Sequence, residues 1–129
     1  ALQRHAEAEP ILGEVIEASS KLYGANSART RYWIYRKGQI LQELGRLQAA
    51  QAVIDSLVAQ PPTDAEQPIA SSAFALTAAS IAIARHASDA GTRIAAAVEI
   101  ACGPTGNSTF CERARALKPA ADRKSAADG

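Results

Sequence analysis

The residues between positions 29 and 37 carry most of the chemical potential of this chain: Arg29, Arg31, Tyr32, Trp33, Tyr35, Arg36 and Lys37 stand almost side by side. A guanidinium group holds a carboxylate or phosphate through paired hydrogen bonds. Aromatic residues and arginine are also the types that most often anchor interfaces. The cluster therefore suits recognition. A competing reading simply packs the tyrosines and Trp33 between helices.

Elsewhere the chemistry is sparse. His5 and His86 lie far apart, and neither has a second histidine at metal-ligand spacing. No Ser-His-Asp order, nucleotide-binding glycine loop or metal-ligand run occurs. Gly-Pro-Thr-Gly-Asn-Ser at 103–108 lacks the lysine and the spacing that cradle phosphates, so it reads as a plain loop. Cys102 and Cys111 are the only cysteines. They flank that loop, so their Cα atoms can come within the roughly 7 Å a disulfide needs; otherwise they are two small buried hydrophobes. Nine positions apart and with no nearby histidine, they make a poor zinc site. The expectation is no catalytic residue, no metal and no cofactor.

Bulk properties agree. A formal net charge of +1 creates no global field for nucleic acid or membrane. No apolar run approaches the roughly 18–20 residues of a membrane span, and no signal-peptide pattern opens the chain. Hydrophobic residues make up 47% of the chain but aromatics only 5%, with alanine prominent. Alanine is the best helix former, whereas a sheet-based fold wants more Val, Ile, Thr and aromatic residues. The absence of methionine, even at position 1, reads as the mark of a fragment of a longer or processed protein.

The elements that must position the cluster follow from periodicity. Ser27 can cap a helix, and Trp33, Ile34, Ile40, Leu41 and Leu44 fall in a wedge roughly 120° wide, giving a helix over about 28–44. Gly45 supplies the backbone freedom to end it. Ala49, Ala50, Val53, Ile54, Leu57 and Val58 then recur at spacings of three and four, until Pro61 and Pro62 stop the second helix. So short a turn makes an antiparallel hairpin, with Gly38 and Ala50 where small residues let the backbones approach.

That unit resembles a tetratricopeptide repeat, in the longer form of kinesin-light-chain-type arrays and many bacterial regulators. The matching residues are Leu22, Tyr23 and Gly24, then Gly38, then Gly45 and Arg46, Ala50 and Gln51, and a closing Pro62. Lys37 departs from the pattern, standing where the family has a large apolar residue. The resemblance implies an all-α fold, an antiparallel helix-hairpin solenoid of about two and a half repeats forming a right-handed superhelix. Glu7-Ala8-Glu9-Pro10 matches the opening of a preceding second helix, which should begin near residue 5 to 8 with Ala8, Ile11, Leu12, Val15 and Ile16 inward; Ala50 follows Ala8 by 42 positions. A degenerate copy sits 40 positions on: helices at about 69–85 and 88–102, with Phe74, Ala78 and Ile81 matching Ile34, Gly38 and Leu41, and Ala90 matching Ala50. Ile94, Ala97, Val98 and Ala101 face inward on the latter helix. Ser108 opens a short last helix with Phe110, Ala114 and Leu117 inward, covering the apolar end as terminal repeats do. The expected domain is 1–118, with hairpins at about 27–60 and 69–102 and a mobile tail at 119–129.

The resemblance also implies a function: binding a protein or peptide segment in a concave groove, for a larger bacterial regulatory protein such as a Ser/Thr kinase or transcription regulator. In the family register Tyr32, Tyr35, Arg36, Gln39 and Gln42 face the groove, and the next repeat contributes Ser72, Ala75, Leu76 and Ala79. The incomplete first repeat leaves Ile11, Val15 and Ile16 as an edge for self-association, so a homodimer is a second expectation. The alternative is a nucleic-acid-binding patch of Arg29, Arg31, Arg36 and Lys37, opposed by the near-neutral charge and by Glu14, Glu17 and Glu43. Cytoplasmic residence is favoured, and periplasmic residence if Cys102 and Cys111 are bonded.

Overall fold

The computed structural model describes residues 2–128. Those residues form six helices and no strand: α1 Leu2–Tyr23, α2 Ala28–Glu43, α3 Leu47–Ala59, α4 Ala70–Ala84, α5 Ala90–Ala101 and α6 Ser108–Asp128. They fall into two compact units, Ala1–Glu66 and Gln67–Gly129.

In the first unit α2 packs against both α1 and α3, and α1 and α3 do not pack on each other. Ser27 caps α2, its hydroxyl accepting from the Thr30 amide at 3.2 Å. The Asp64 carboxylate accepts from the Ala28 amide at 2.7 Å, so two of the orphan donors of that helix end are satisfied and a negative charge sits at the positive end of the helix dipole. At the other end Gly45 takes φ +78°, and the amides of Gly45 and Arg46 donate to the carbonyls of Gln42 and Leu41. That is the glycine-closed helix end expected at this position. Ile40 and Leu41 of α2 and Ala50, Ile54 and Leu57 of α3 are the buried apolar residues of these two helices. Gly38 is needed where the two meet: a Cβ would lie 2.4 Å from Ile54 Cδ1 and 2.8 Å from Ile54 Cγ1.

The second unit is closed rather than layered, since α4, α5 and α6 each pack on the other two. Its core is mostly alanine: Ala75, Ala79, Ala97, Ala101 and Ala114 surround Leu76 and Ile94. The turn after α4 repeats the one after α2 with the same bonds: Arg85, His86 and Ala87 donate to Ile81, Ile83 and Ala82, as Leu44, Gly45 and Arg46 do to Ile40, Gln42 and Leu41. Each pair is 41 positions apart, and His86 takes the left-handed φ of +57° that Gly45 takes in the first unit.

The sequence offset of 40 is thus one residue short for α4. One residue turns a helix by about 100°. In the 41-residue register Arg31, Ile34, Gly38 and Leu41 correspond to Ser72, Ala75, Ala79 and Ala82, all of which except the half-buried Ile34 are buried. The recurrence does not extend into the next helix. Ala90 is only half-buried, the 41-residue counterparts of the buried Ala50 and Ile54 are Gly91 and Ala95, both exposed, and α5 buries Ile94, Ala97 and Ala101 instead.

Two helices run past their expected ends. α1 begins at Leu2 and carries Pro10 in its interior. Strong helix formers flank it on either side, and Glu9 beside it pairs with Arg46 at 2.7 Å. α6 continues through Pro119 to Asp128, where a mobile tail was expected. Ala121 packs on the second unit's core, and Lys118 reaches Asp122 at 3.6 Å one turn on. Ala1 and Gly129 lie outside the described residues.

Candidate interaction surface

Arg31 leaves the basic cluster altogether. Its side chain is 4% exposed. The guanidinium donates to Glu66 Oε2 at 2.7 Å and Oε1 at 3.4 Å, to the Gln60 carbonyl at 2.6 Å and to the Leu57 carbonyl at 3.1 Å. It straps the end of α3 and the following loop to α2, and the Thr63 amide adds a bond to the Asn26 carbonyl at 2.9 Å. A nucleic-acid patch of Arg29, Arg31, Arg36 and Lys37 therefore loses its second member to the interior. The signal was present in the sequence, because Arg31 shares the 31-34-38-41 stripe with Ile34, Gly38 and Leu41. A charge on a buried stripe asks for a buried partner.

The remaining members spread over the outside of α2. Tyr32 is 53% exposed and meets Trp33 edge to face, with ring centroids 5.0 Å apart. Arg36 is exposed and donates to Gln39 Oε1 at 2.9 Å. Tyr35, Lys37, Gln39 and Gln42 are half-buried. Tyr32, Arg36 and Gln39 follow one another at helical spacing, and of the three Tyr32 and Arg36 are exposed.

Ala75 and Ala79 are placed differently. Both are buried in the core between α4, α5 and α6, with Ala79 at 0% exposure, and neither has surface to offer a partner. The one-residue register difference is the reason. The α4 positions equivalent to Tyr32, Tyr35, Arg36 and Gln39 are Ala73, Leu76, Thr77 and Ser80, of which Leu76 is itself buried.

What the first unit does assemble is a recess of about 590 Å³ between α1 and α2. Val15, Ala18 and Leu22 line one side, Tyr32 and Trp33 the other, with Tyr23 and Arg29 at one end. Arg29 is held in place twice: its guanidinium lies 4.6 Å from the centre of the Tyr23 ring and donates to the Tyr23 hydroxyl at 2.9 Å. Leu22, Tyr23 and Tyr32 are all exposed. Beneath the recess the backbone is fixed by buried hydroxyls. Thr30 Oγ1 donates to the Gly24 carbonyl at 2.8 Å and lies 2.8 Å from Ser19 Oγ and 3.1 Å from Ser27 Oγ.

The recess joins residues that the sequence assigned to separate places. Val15, from the proposed edge, and Tyr32, from the proposed groove, line the same depression. Ile16 is half-buried, and Ile11 is 60% exposed on α1. Leu22 and Tyr23 were not among the expected contact residues. Their sequence signal was that Leu22 and Tyr23 prolong the apolar stripe of α1, each seven positions after Val15 and Ile16.

In the second unit Cys102 and Cys111 form a disulfide, their Cα atoms 4.6 Å apart, tying the end of α5 to the first turn of α6. Among the described residues no cluster of three or more His, Cys, Asp or Glu side chains is arranged to hold a metal ion, and no helix is long and apolar enough to cross a membrane. No family model matches the chain, and neither a curated protein nor a solved structure matches it.

Proposed function

We propose that this chain is a non-enzymatic interaction module, a helix-hairpin solenoid of the tetratricopeptide kind, which seats a protein or peptide segment on the α1–α2 face of its first unit. It would serve as the regulatory or scaffold part of a larger protein. The observation that carries the reading is the recess itself: exposed Leu22, Tyr23 and Tyr32 beside Trp33, with Arg29 clamped at the rim. Large aromatic and apolar side chains left in water around a concavity are what an interface buries, and Arg29 would pair with an acidic group on the incoming segment. The repeat component is supported by the 41-residue recurrence of the helix-end bonds after α2 and α4 and of the buried positions along those two helices. The Cys102–Cys111 bond favours an oxidising compartment over the cytoplasm.

Peptide selection on the immobilised chain tests this, with Tyr32→Ala and Arg29→Ala as controls. Selected peptides should carry an apolar anchor and an acid, and should lose about tenfold or more in affinity on Tyr32→Ala. Peptides that bind both variants as well as the parent would sink the assignment. Light scattering over a concentration series reports whether the partner is a second copy, in which case Ile11→Glu should dissociate it.

A further inference from the structure

The second unit carries its own concavity, separate in sequence and in lining from the recess above. α5 and α6 border an open depression of about 660 Å³. The α5 wall is Ala90, Gly91, Ile94, Ala95 and Val98, and α6 contributes Ala121, Arg115, Lys118 and Asp122. The floor is apolar and all the charge lies on the α6 side. Lys118 is paired with Asp122 at 3.6 Å, both groups being largely in water, so their charges offset one another. Arg115 is exposed and has no ion-pair or hydrogen-bond partner among the described residues. Among the described residues the slot therefore presents an apolar interior and, at its rim, one cation without an ion-pair partner.

From this we propose that the α5–α6 slot is a binding site for a single-chain aliphatic anion, a lipophilic carboxylate whose chain lies along Gly91, Ala95 and Val98 and whose head group meets Arg115. Four features select that class. The volume falls in the range of small-molecule sites, which are mostly apolar with a few polar groups that orient the ligand. The wall residues are small, and a Cβ at Gly91 would meet nothing within 4 Å, so a methylene chain has room at that end. The α5 stripe from Ala90 to Val98 is only about 12 Å long, too short to bury the roughly 800 Å² per partner of a stable protein interface. Finally, guanidinium is the group best shaped to take a carboxylate through two parallel bonds.

The test uses the intact chain with sodium dodecanoate, kept below its micellar concentration, and follows backbone amide resonances. Saturable shifts at Gly91, Ala95, Val98 and Ala121 are expected. Arg115→Glu, a surface change that leaves the core untouched, should weaken binding tenfold or more, and Ala95→Phe should fill the slot and abolish it. Dodecyltrimethylammonium, with the same chain and the opposite charge, should bind at least tenfold more weakly than dodecanoate. The proposal is overturned if no saturable shift occurs, if the cationic amphiphile binds as tightly, or if the shifts map to Val15 and Tyr32 instead. It is equally overturned if an acidic amphipathic helical peptide saturates these amides and dodecanoate does not, which would make the slot a protein-docking surface. Loss of peptide binding on Tyr32→Ala bears on the first unit alone, so the two proposals fail separately.

Discussion

The two units solve the same seam position in opposite ways. In the first, position 31 is an arginine that reaches Glu66 and two backbone carbonyls. In the second, 41 residues on, it is Ser72, wholly buried, with no hydrogen-bond partner for its hydroxyl. Among the described residues the first unit buries Ser19, Ser27, Thr30, Arg31 and Gln51, whereas the second buries only Ser72 among polar residues and fills its core with alanine. A layered three-helix unit, whose outer helices share no contact, is specified by hydrogen bonds that fix how each layer sits. A closed three-helix unit needs less of this, because every helix is held by two others, and it adds a covalent tie between α5 and α6. Polar specification and exposed apolar surface go together here: the unit with the buried network is also the one that leaves Leu22, Tyr23 and Tyr32 in water.

The sharpest way to break this comparison is Arg31→Met. It leaves Glu66 beside α2 without its cation, and removing one partner of a buried pair typically costs about 3–5 kcal/mol. Trp33, the only tryptophan, reports the first unit directly, so its fluorescence in a urea titration should show an earlier midpoint and an unfolding free energy lower by that amount. An unchanged midpoint would mean the strap contributes nothing. The second unit's equivalent lock is the Cys102–Cys111 bond. Opening it, by Cys102→Ser with Cys111→Ser, should cost about 2–3 kcal/mol for so short a loop, read as faster hydrogen exchange at the amides of α5. Gly38→Val tests the close approach in the first seam. With Ile54 fully buried and unable to swing into solvent, over-packing should destabilise by about 2 kcal/mol in the same fluorescence titration. The smallest effect carries the opposite sign. Ser72→Ala removes a hydroxyl that is buried without a partner, so thermal denaturation should show a gain of about 1 kcal/mol.

Much of the fold was legible because it rests on local signals. Ser27, Gly45 and the three-and-four spacing place α2 and α3 within a residue or two of their observed ends, and Phe74, Ile81, Ile94 and Ala97 face inward as their spacing requires. What could not be read is non-local or a matter of register. Nothing near Arg31 announces a carboxylate 35 positions away, although the stripe it sits on shows that one is needed. The copy at α4 is alanine-rich on several faces, so offsets of 40 and 41 both align apolar residues; only the backbone bonds at His86 decide between them. That single step moves Ala75 and Ala79 from a groove into a core. The proline rules that stop α3 mislead at Pro10 and Pro119, where favourable neighbours on both sides outweigh one lost hydrogen bond. Of the candidate surface, Tyr32 and Arg36 were legible as exposed aromatic and basic residues, but the recess itself arises from the pairing of α1 with α2, which sequence spacing does not encode.

The stretch from Pro61 to Glu66 has no regular secondary structure and the composition of a spacer, with two prolines, a threonine and acidic residues. The bonds from Ala28, Thr63 and Arg31 make it part of the first unit instead. Anyone dividing this chain for separate expression would be drawn to cut just after α3, at the prolines. A piece ending there would keep every helix of the first unit and yet leave Arg31 inside without its counter-charge and the start of α2 without Asp64. The workable cut falls after Glu66.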